Sequence, residues 1–168
     1  MNKYVFKDYD PIYSELFKKE RLRKYLPKTT NIEHFGSTAV VGLGGKGIID
    51  IYVTAPENLL QATFKTIEDA GYEFRPDAGT HKRSFFRRIV TDQNGNEQRY
   101  HIHLTNNKNP EFYKDIAFRD YLRSHPEDLK RYAEIKKKAA VEANNDKDKY
   151  MKIKKPVIQE ILAKALGK

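Results

Sequence analysis

Residues Asn31 to Thr54 read NIEHFGSTAVVGLGGKGIIDIYVT, and this stretch decides the fold class. Its pattern predicts a short strand over Asn31–Phe35 and a longer one over Ile48–Thr54. Side chains alternate along a strand, so Ile49, Ile51 and Val53 share one face, and Ile48, Asp50 and Tyr52 the other. Between the strands lies a loop carrying Gly36, Gly42, Gly44, Gly45 and Gly47. Backbone this free of side chains can approach a ligand closely.

Working outward, Asp10 to Leu26 is predicted as one helix. Pro11 suits its first turn, Ile12, Leu16, Phe17 and Glu20 recur near helical spacing, and Pro27 closes it. Pro56 to Ala70 predicts an amphipathic helix with Leu60, Phe64 and Ile67 on one stripe and Gly71 ending it. Tyr72 to Arg75 reads as a short strand. Arg83–Thr91 and Arg99–Thr105 read as a hairpin around Asp92-Gln93-Asn94-Gly95-Asn96, which carries the Asn-Gly turn signal. Pro110 to Ser124 predicts a helix, His125-Pro126 breaks it, and another runs to about Asn144. A last helix holds Val157, Ile158, Ile161, Leu162 and Leu166. Strands in the middle with helices on both sides in sequence predict an α+β fold, a mixed sheet covered by helices with a helical C-terminal region. The 168 residues suit a single domain spanning 1–168, with no repeats and no linker.

The formal charge of +9 favours polyanions such as nucleotides, nucleic acid or anionic lipid. Cysteine is absent, which excludes a disulfide framework, a thiolate metal site and a cysteine nucleophile. No apolar run approaches the roughly 20 residues that cross a bilayer. Met1-Asn2-Lys3-Tyr4 lacks the apolar stretch of a signal peptide. The expectation is a cytoplasmic protein without a membrane partner. The lysines at 136–138 and at 147, 149, 152, 154 and 155 are read as exposed helix faces.

Three segments suggest chemistry. Gly36-Ser37-Thr38, at the end of a strand, offers backbone N–H groups and two hydroxyls to a phosphate. Asp50 projects from a largely apolar strand, where a carboxylate is costly unless paired, hydrogen-bonded or metal-bound. His101 and His103 lie two apart on a strand, with both imidazoles on one face about 7 Å apart. Arg99 shares that face. Each signal is weak singly: a Gly-Ser-Thr triplet is commonly a turn, an Asp in a strand commonly pairs with an Arg, and a His-x-His pair commonly packs or faces solvent. Their joint presence with Lys46, four residues before Asp50, raises the interest of the set. Arg83 and Arg87, on one face with Phe85, form a second basic cluster that could clamp a triphosphate or a nucleic-acid backbone, or simply be a solvated sheet face.

The stretch Ile32-Glu33-His34-Phe35-Gly36-Ser37-Thr38-Ala39-Val40, then Gly42-Leu43, Lys46 and Ile48-Ile49-Asp50-Ile51, resembles the GrpB family. So do Tyr9-Asp10-Pro11, Arg83-Ser84-Phe85-Phe86-Arg87, His101-Ile102-His103-Leu104 and the run from Ala117 to Glu127. The resemblance covers nearly the whole chain and implies a nucleotidyltransferase-like fold, in which a Gly-Ser turn is followed by paired carboxylates on the next strand. It implies a nucleotide or phosphorylated small molecule as ligand, with nucleic acid as a further partner, and transfer of a nucleotidyl group to an acceptor. A non-catalytic module binding a nucleotide, a coenzyme A-like molecule or RNA is the alternative. The implied phosphate-binding residues are Gly36, Ser37, Thr38, Lys46, Arg83 and Arg87. Asp50, with His101 and His103, is the implied catalytic and metal-holding set, and Glu33 and His34 flank the turn. The implied cofactor is a divalent ion, Mg2+ or Mn2+. Tyr52 stands where the second carboxylate of the superfamily pattern belongs, and an Asp with two His suits manganese or another transition metal better than magnesium. Val41 and Gly47 replace prolines common in the family.

Overall fold

A computed structural model describes residues 6–20 and 22–168. The terminus Met1–Tyr4, read above as free of a signal peptide, lies outside the described residues. The expected single helix over Asp10–Leu26 is two: α1 (Ile12–Lys19) and α2 (Leu22–Tyr25). Glu20 ends α1 in an extended conformation, φ −66° and ψ 119°. The break rephases the chain, because Leu22 and Leu26 fall off the stripe set by Leu16, Phe17 and Glu20 yet must both be buried. Tyr13, not Ile12, is the first residue of α1 to reach the core; Ile12 is exposed.

The sheet is built from β1 (Asn31–Phe35), β2 (Ile49–Ala55), β3 (Glu73–Phe74), β4 (Arg83–Thr91) and β5 (Glu97–Asn106). Its order is β1-β2-β5-β4-β3. β2 and β5 are parallel and the other pairs antiparallel, so the sheet is mixed as expected. The turn after β4 is closed by Asp92, whose carboxylate accepts the backbone N–H groups of Asn94 and Asn96, with Gly95 at φ 81°. The expected helix before β3 is α3 (Leu60–Asp69), entered through a 3-10 turn at Glu57–Leu59. Gly71 follows it at φ 89°, a conformation that glycine adopts without strain.

The alternation read in β2 sorts the two faces. Ile49, Ile51 and Val53 are fully buried against α1, α2 and α3, with Tyr100, Ile102, Leu104 and Phe86 from the neighbouring strands. Burial of each such aliphatic side chain stabilises the fold by about 1.5–3 kcal/mol. Asp50 and Tyr52 face the opposite side, where α4 (Pro110–Ser124), α5 (Pro126–Ala143) and α6 (Lys147–Ala165) pack. Asn109 caps α4 by accepting the N–H of Glu111. The α4–α5 junction is held by His125, whose ring stacks on Tyr121 at 3.7 Å, and by Pro126 at the first position of α5. Asn144 and Asn145, both left-handed, turn the chain into α6, whose N-terminus is capped by Asp146. The three helices share a second core of Val40, Leu43, Leu122, Tyr132, Val157 and Ile161. Leu166, expected inside the last helix, lies just past its end and is exposed.

Lys136 overturns the reading of the C-terminal lysines as uniformly exposed: it is 5% exposed. Lys154 is half-buried. Both fall on the inward stripes of their helices. In α5 the buried positions are Tyr132, Lys136, Ala139 and Ala143; in α6 they are Tyr150, Val157 and Ile161, with Lys154 between them at the same spacing.

Candidate anion-binding pocket

The parallel register sets Asp50 beside His101 and Tyr52 beside His103. The Asp50 Oδ1 lies 3.3 Å from His101 Nδ1 and 3.6 Å from His103 Nε2. Burial pushes the Asp50 carboxyl up, but hydrogen bonding and attraction from the two histidines outweigh it and hold it down at about 2. The carboxylate is therefore ionised at any working pH, and its side chain is 24% exposed, so a ligand can reach it. Phe35, Tyr52 and Phe85 pack around His103, fixing its ring.

The turn that follows β1 is shaped by Asp50. Gly36 has φ 73° and ψ −168°, a region essentially confined to glycine. A β-carbon there would lie 2.8 Å from Asp50 Oδ2. Gly36→Ala is expected to cost about 1–3 kcal/mol of stability in urea unfolding, from the backbone alone, and to displace the carboxylate. Beyond it, Ser37–Ala39 form one 3-10 turn. The Thr38 hydroxyl donates to the Ile48 carbonyl at 2.8 Å and so accepts from His34 Nε2 at 2.9 Å. Burial pushes His34 down to about 4, consistent with a neutral ring donating through Nε2. His34 and Thr38 thus latch the turn to the start of β2, and Thr38 is itself buried. Glu33 serves the far side, accepting from Arg119 at 2.7 Å; the same guanidinium reaches the His34 carbonyl at 2.8 Å and Asp120 at 2.8 Å. Arg123 donates twice to the Ala39 carbonyl. Two arginines of α4 therefore anchor this region, Arg119 on β1 and Arg123 on the turn.

Asp50, His101, Gly36 and Ser37 form one wall of a cavity of about 360 Å³. Four lysines line the same cavity: Lys46 from the glycine loop, Lys136 from α5, and Lys147 and Lys154 from α6. Lys136 Nζ donates to the Gly44 carbonyl at 2.7 Å. The loop passes so close to Ser37 and Lys136 that a β-carbon on Gly45 would lie 2.9 Å from Lys136 Nζ. Lys154 Nζ and Lys46 Nζ approach the Tyr150 ring at 4.2 and 5.5 Å. Burial, with repulsion from neighbouring lysines, pushes Lys136 down to about 7 and Lys154 to about 8; burial lowers Lys46 as well. Desolvated ammonium groups facing one another form a place where an anion is favoured.

Of the residues singled out from sequence, Gly36, Ser37, Lys46, Asp50 and His101 meet in this cavity, and His103 stands behind the carboxylate. Arg83 and Arg87 do not line it. Arg87 pairs with Glu73 at 2.9 Å. Arg83 donates to the Tyr52 hydroxyl at 3.3 Å and lies 3.9 Å from Glu111. The Tyr52 hydroxyl in turn donates to Asp115 at 2.7 Å. A carboxylate does therefore stand near position 52, but it comes from α4, and burial raises its pKa. Among the described residues no group of three or more His, Cys, Asp or Glu side chains is placed to hold a metal ion; Asp50 lies within ion-pair distance of both histidines. Among the described residues no helix is long and apolar enough to cross a membrane.

A family model described as "GrpB protein" matches residues 4–164. The UPF0157 protein PA4798 of Pseudomonas aeruginosa is 36% identical over 137 residues, 81% of this chain but 55% of that protein, so the chain spans about half the length of that relative. The crystal structure of the conserved protein GrpB from Enterococcus faecalis superposes with a TM-score of 0.78 at 32% identity, over 97% of this chain and 98% of that one. The Cid1 poly(U) polymerase, with MgGTP bound, overlaps at a TM-score of 0.45 and 14% identity, over 77% of this chain and 45% of that one.

Proposed function

The chain belongs to the GrpB family, and we propose that it binds a nucleotide or another phosphorylated ligand in the Asp50 pocket, with the phosphates among Lys46, Lys136 and Lys154. The observation that carries this reading is the burial of Lys136 and half-burial of Lys154 in a cavity that the Gly36–Ser37 turn also lines. A desolvated ammonium group costs stability unless something in the pocket repays it, and a phosphate does so with charge-assisted hydrogen bonds.

Transfer of a nucleotidyl group is the further step proposed for the same pocket. The acceptor hydroxyl oxygen would attack the α-phosphorus, pyrophosphate would leave, and the hydroxyl proton would pass to His101. The position of His101 beside Asp50, at the pocket wall, supports this assignment. That Asp50 is the single carboxylate lining the pocket among the described residues favours the alternative, binding without turnover. A divalent ion, if one takes part, would arrive with the triphosphate and find Asp50 as the one carboxylate lining the pocket among the described residues.

Calorimetric titration with ATP, alone and with Mg2+ or Mn2+, tests the reading. Binding by the native chain that weakens at least tenfold in Asp50→Asn only when metal is present favours transfer and an ion at Asp50. Metal-independent binding, unchanged in Asp50→Asn, favours a lysine-held ligand without turnover. Absence of ATP binding under every condition sinks the nucleotide reading.

A further inference from the structure

The lysine pocket is not the end of the space. A second cavity of about 220 Å³ lies beside it between α4, α5 and α6. The two share Gly36, Ser37, Tyr132 and Lys136 as a common wall. Their characters differ. Beyond Lys136 the second cavity is lined by Phe35, Phe118, Leu122, Ile158 and Leu162. Phe118 and Tyr132 meet edge to face at 5.5 Å, making one aromatic side of the slot. Its polar groups are few: Asp115, whose Oδ2 already takes the Tyr52 hydroxyl, and Arg119, committed to Glu33 and the His34 carbonyl. Ligand sites are typically apolar clefts of about 300–1,000 Å³ with a small number of placed polar groups. The lysine pocket alone, at about 360 Å³, is at the lower edge of that range and the slot, at about 220 Å³, falls below it; a ligand spanning both would fill a volume within it.

We propose that this slot holds the body of the ligand whose phosphates sit among the lysines, so that the protein selects phosphorylated molecules with a flat ring system, nucleoside phosphates being that class, over bare polyphosphate. The inference rests on the phosphate reading above and goes beyond it. The argument is geometric. Lys136 and the Gly36–Ser37 turn belong to both cavities, so a phosphate bound there has its substituent directed either into solvent or into the slot. The slot is the direction in which apolar area is removed from water, with Phe118 and Tyr132 available to pack on a ring. The Asp115 carboxyl on the slot wall gives a ring N–H an acceptor.

The test compares three probes, sodium tripolyphosphate, ATP and UTP, by calorimetry on the full chain and on Ile158→Trp, which fills the slot from α6. The chain has no tryptophan, so the new indole also reports on the slot by fluorescence. In the native chain at least one of ATP and UTP is expected to bind tenfold or more tighter than tripolyphosphate. In Ile158→Trp that advantage is expected to vanish while tripolyphosphate affinity stays within twofold. If Ile158→Trp folds poorly, Phe118→Leu, which removes the ring without filling the space, is expected to weaken the nucleotide about tenfold and spare tripolyphosphate. Equal binding of all three probes, unaffected by either variant, overturns the slot and leaves the phosphate pocket standing. Failure of every probe to bind the native chain overturns both together.

Discussion

Lys136→Met is expected to weaken ATP binding by roughly a hundredfold, about 2.7 kcal/mol, while leaving the protein at least as resistant to urea. The two effects have one cause. Lys136 is almost wholly buried and its neighbours include Lys154 and Lys46, so its ammonium form is disfavoured in the empty pocket. A methionine of similar length keeps the packing against Tyr132 and removes that cost. The pH dependence carries the same signature. The lysine is depressed to about 7 in the folded chain and stands near 10.5 when unfolded. Between those values the unfolded state binds more protons, so this group makes stability rise with pH from about 7 towards 10.5. Ligand affinity runs the opposite way. A bound phosphate restores the proton, so binding takes up protons above about pH 7 and weakens as pH rises. Calorimetry in buffers of different ionisation enthalpy reads the uptake directly. The same heat in every buffer at pH 8 would show that Lys136 does not meet the ligand.

Arg119→Ala is expected to destabilise the chain by about 3 kcal/mol, the range found when one partner of a buried ion pair is deleted. The guanidinium is 8% exposed and joins three acceptors, Glu33 and the His34 carbonyl on β1 and Asp120 on its own helix. Removing it leaves Glu33 half-buried without its partner and unties α4 from β1, with Arg123 left as the bond from α4 to the turn. Lysine at this position is expected to recover less than half of the loss, because one ammonium cannot match the fork of bonds that the guanidinium makes. Urea unfolding of both variants gives the figures. A loss below 1 kcal/mol in Arg119→Ala would mean that the arginine is a surface contact and that the turn is held by other means.

The parts of the fold set by local chemistry were legible. Strict alternation in β2 put Ile49, Ile51 and Val53 in the core and Asp50 outside it, and the Asn-Gly turn fixed the β4–β5 hairpin. The pairing of His101 and His103 with Asp50 is a matter of strand order, which spacing does not encode; it required β5 to lie beside β2. The lysines that α5 and α6 contribute to the pocket, unlike Lys46, were missed for a different reason. In a lysine-rich helix every turn offers an ammonium group, and composition alone assigns them all to solvent. The available signal was phase. Lys136 and Lys154 stand at i+4 from Tyr132 and Tyr150, inside stripes that are otherwise apolar. Arg83 and Arg87 were drawn towards a phosphate by their sequence neighbours, whereas Glu73, Tyr52 and Glu111, brought in from other elements, claim them first.

The parallel pairing of β2 with β5 has a kinetic consequence. Asp50 meets His101 only after the intervening α3, β3 and β4 have been threaded past, a loop roughly ten times as long as the turn that joins β4 to β5. Loop-closure entropy grows with the logarithm of length, so this pairing costs about 2 kcal/mol more to nucleate than the hairpin. Zipping of β4 onto β5 therefore comes first, and β2 docks onto a preformed template. The histidines are in place before their carboxylate arrives. Refolding measured at Asp50 is accordingly expected to lag behind refolding measured at the hairpin, and the pocket to be among the last features to mature on the way to the native state.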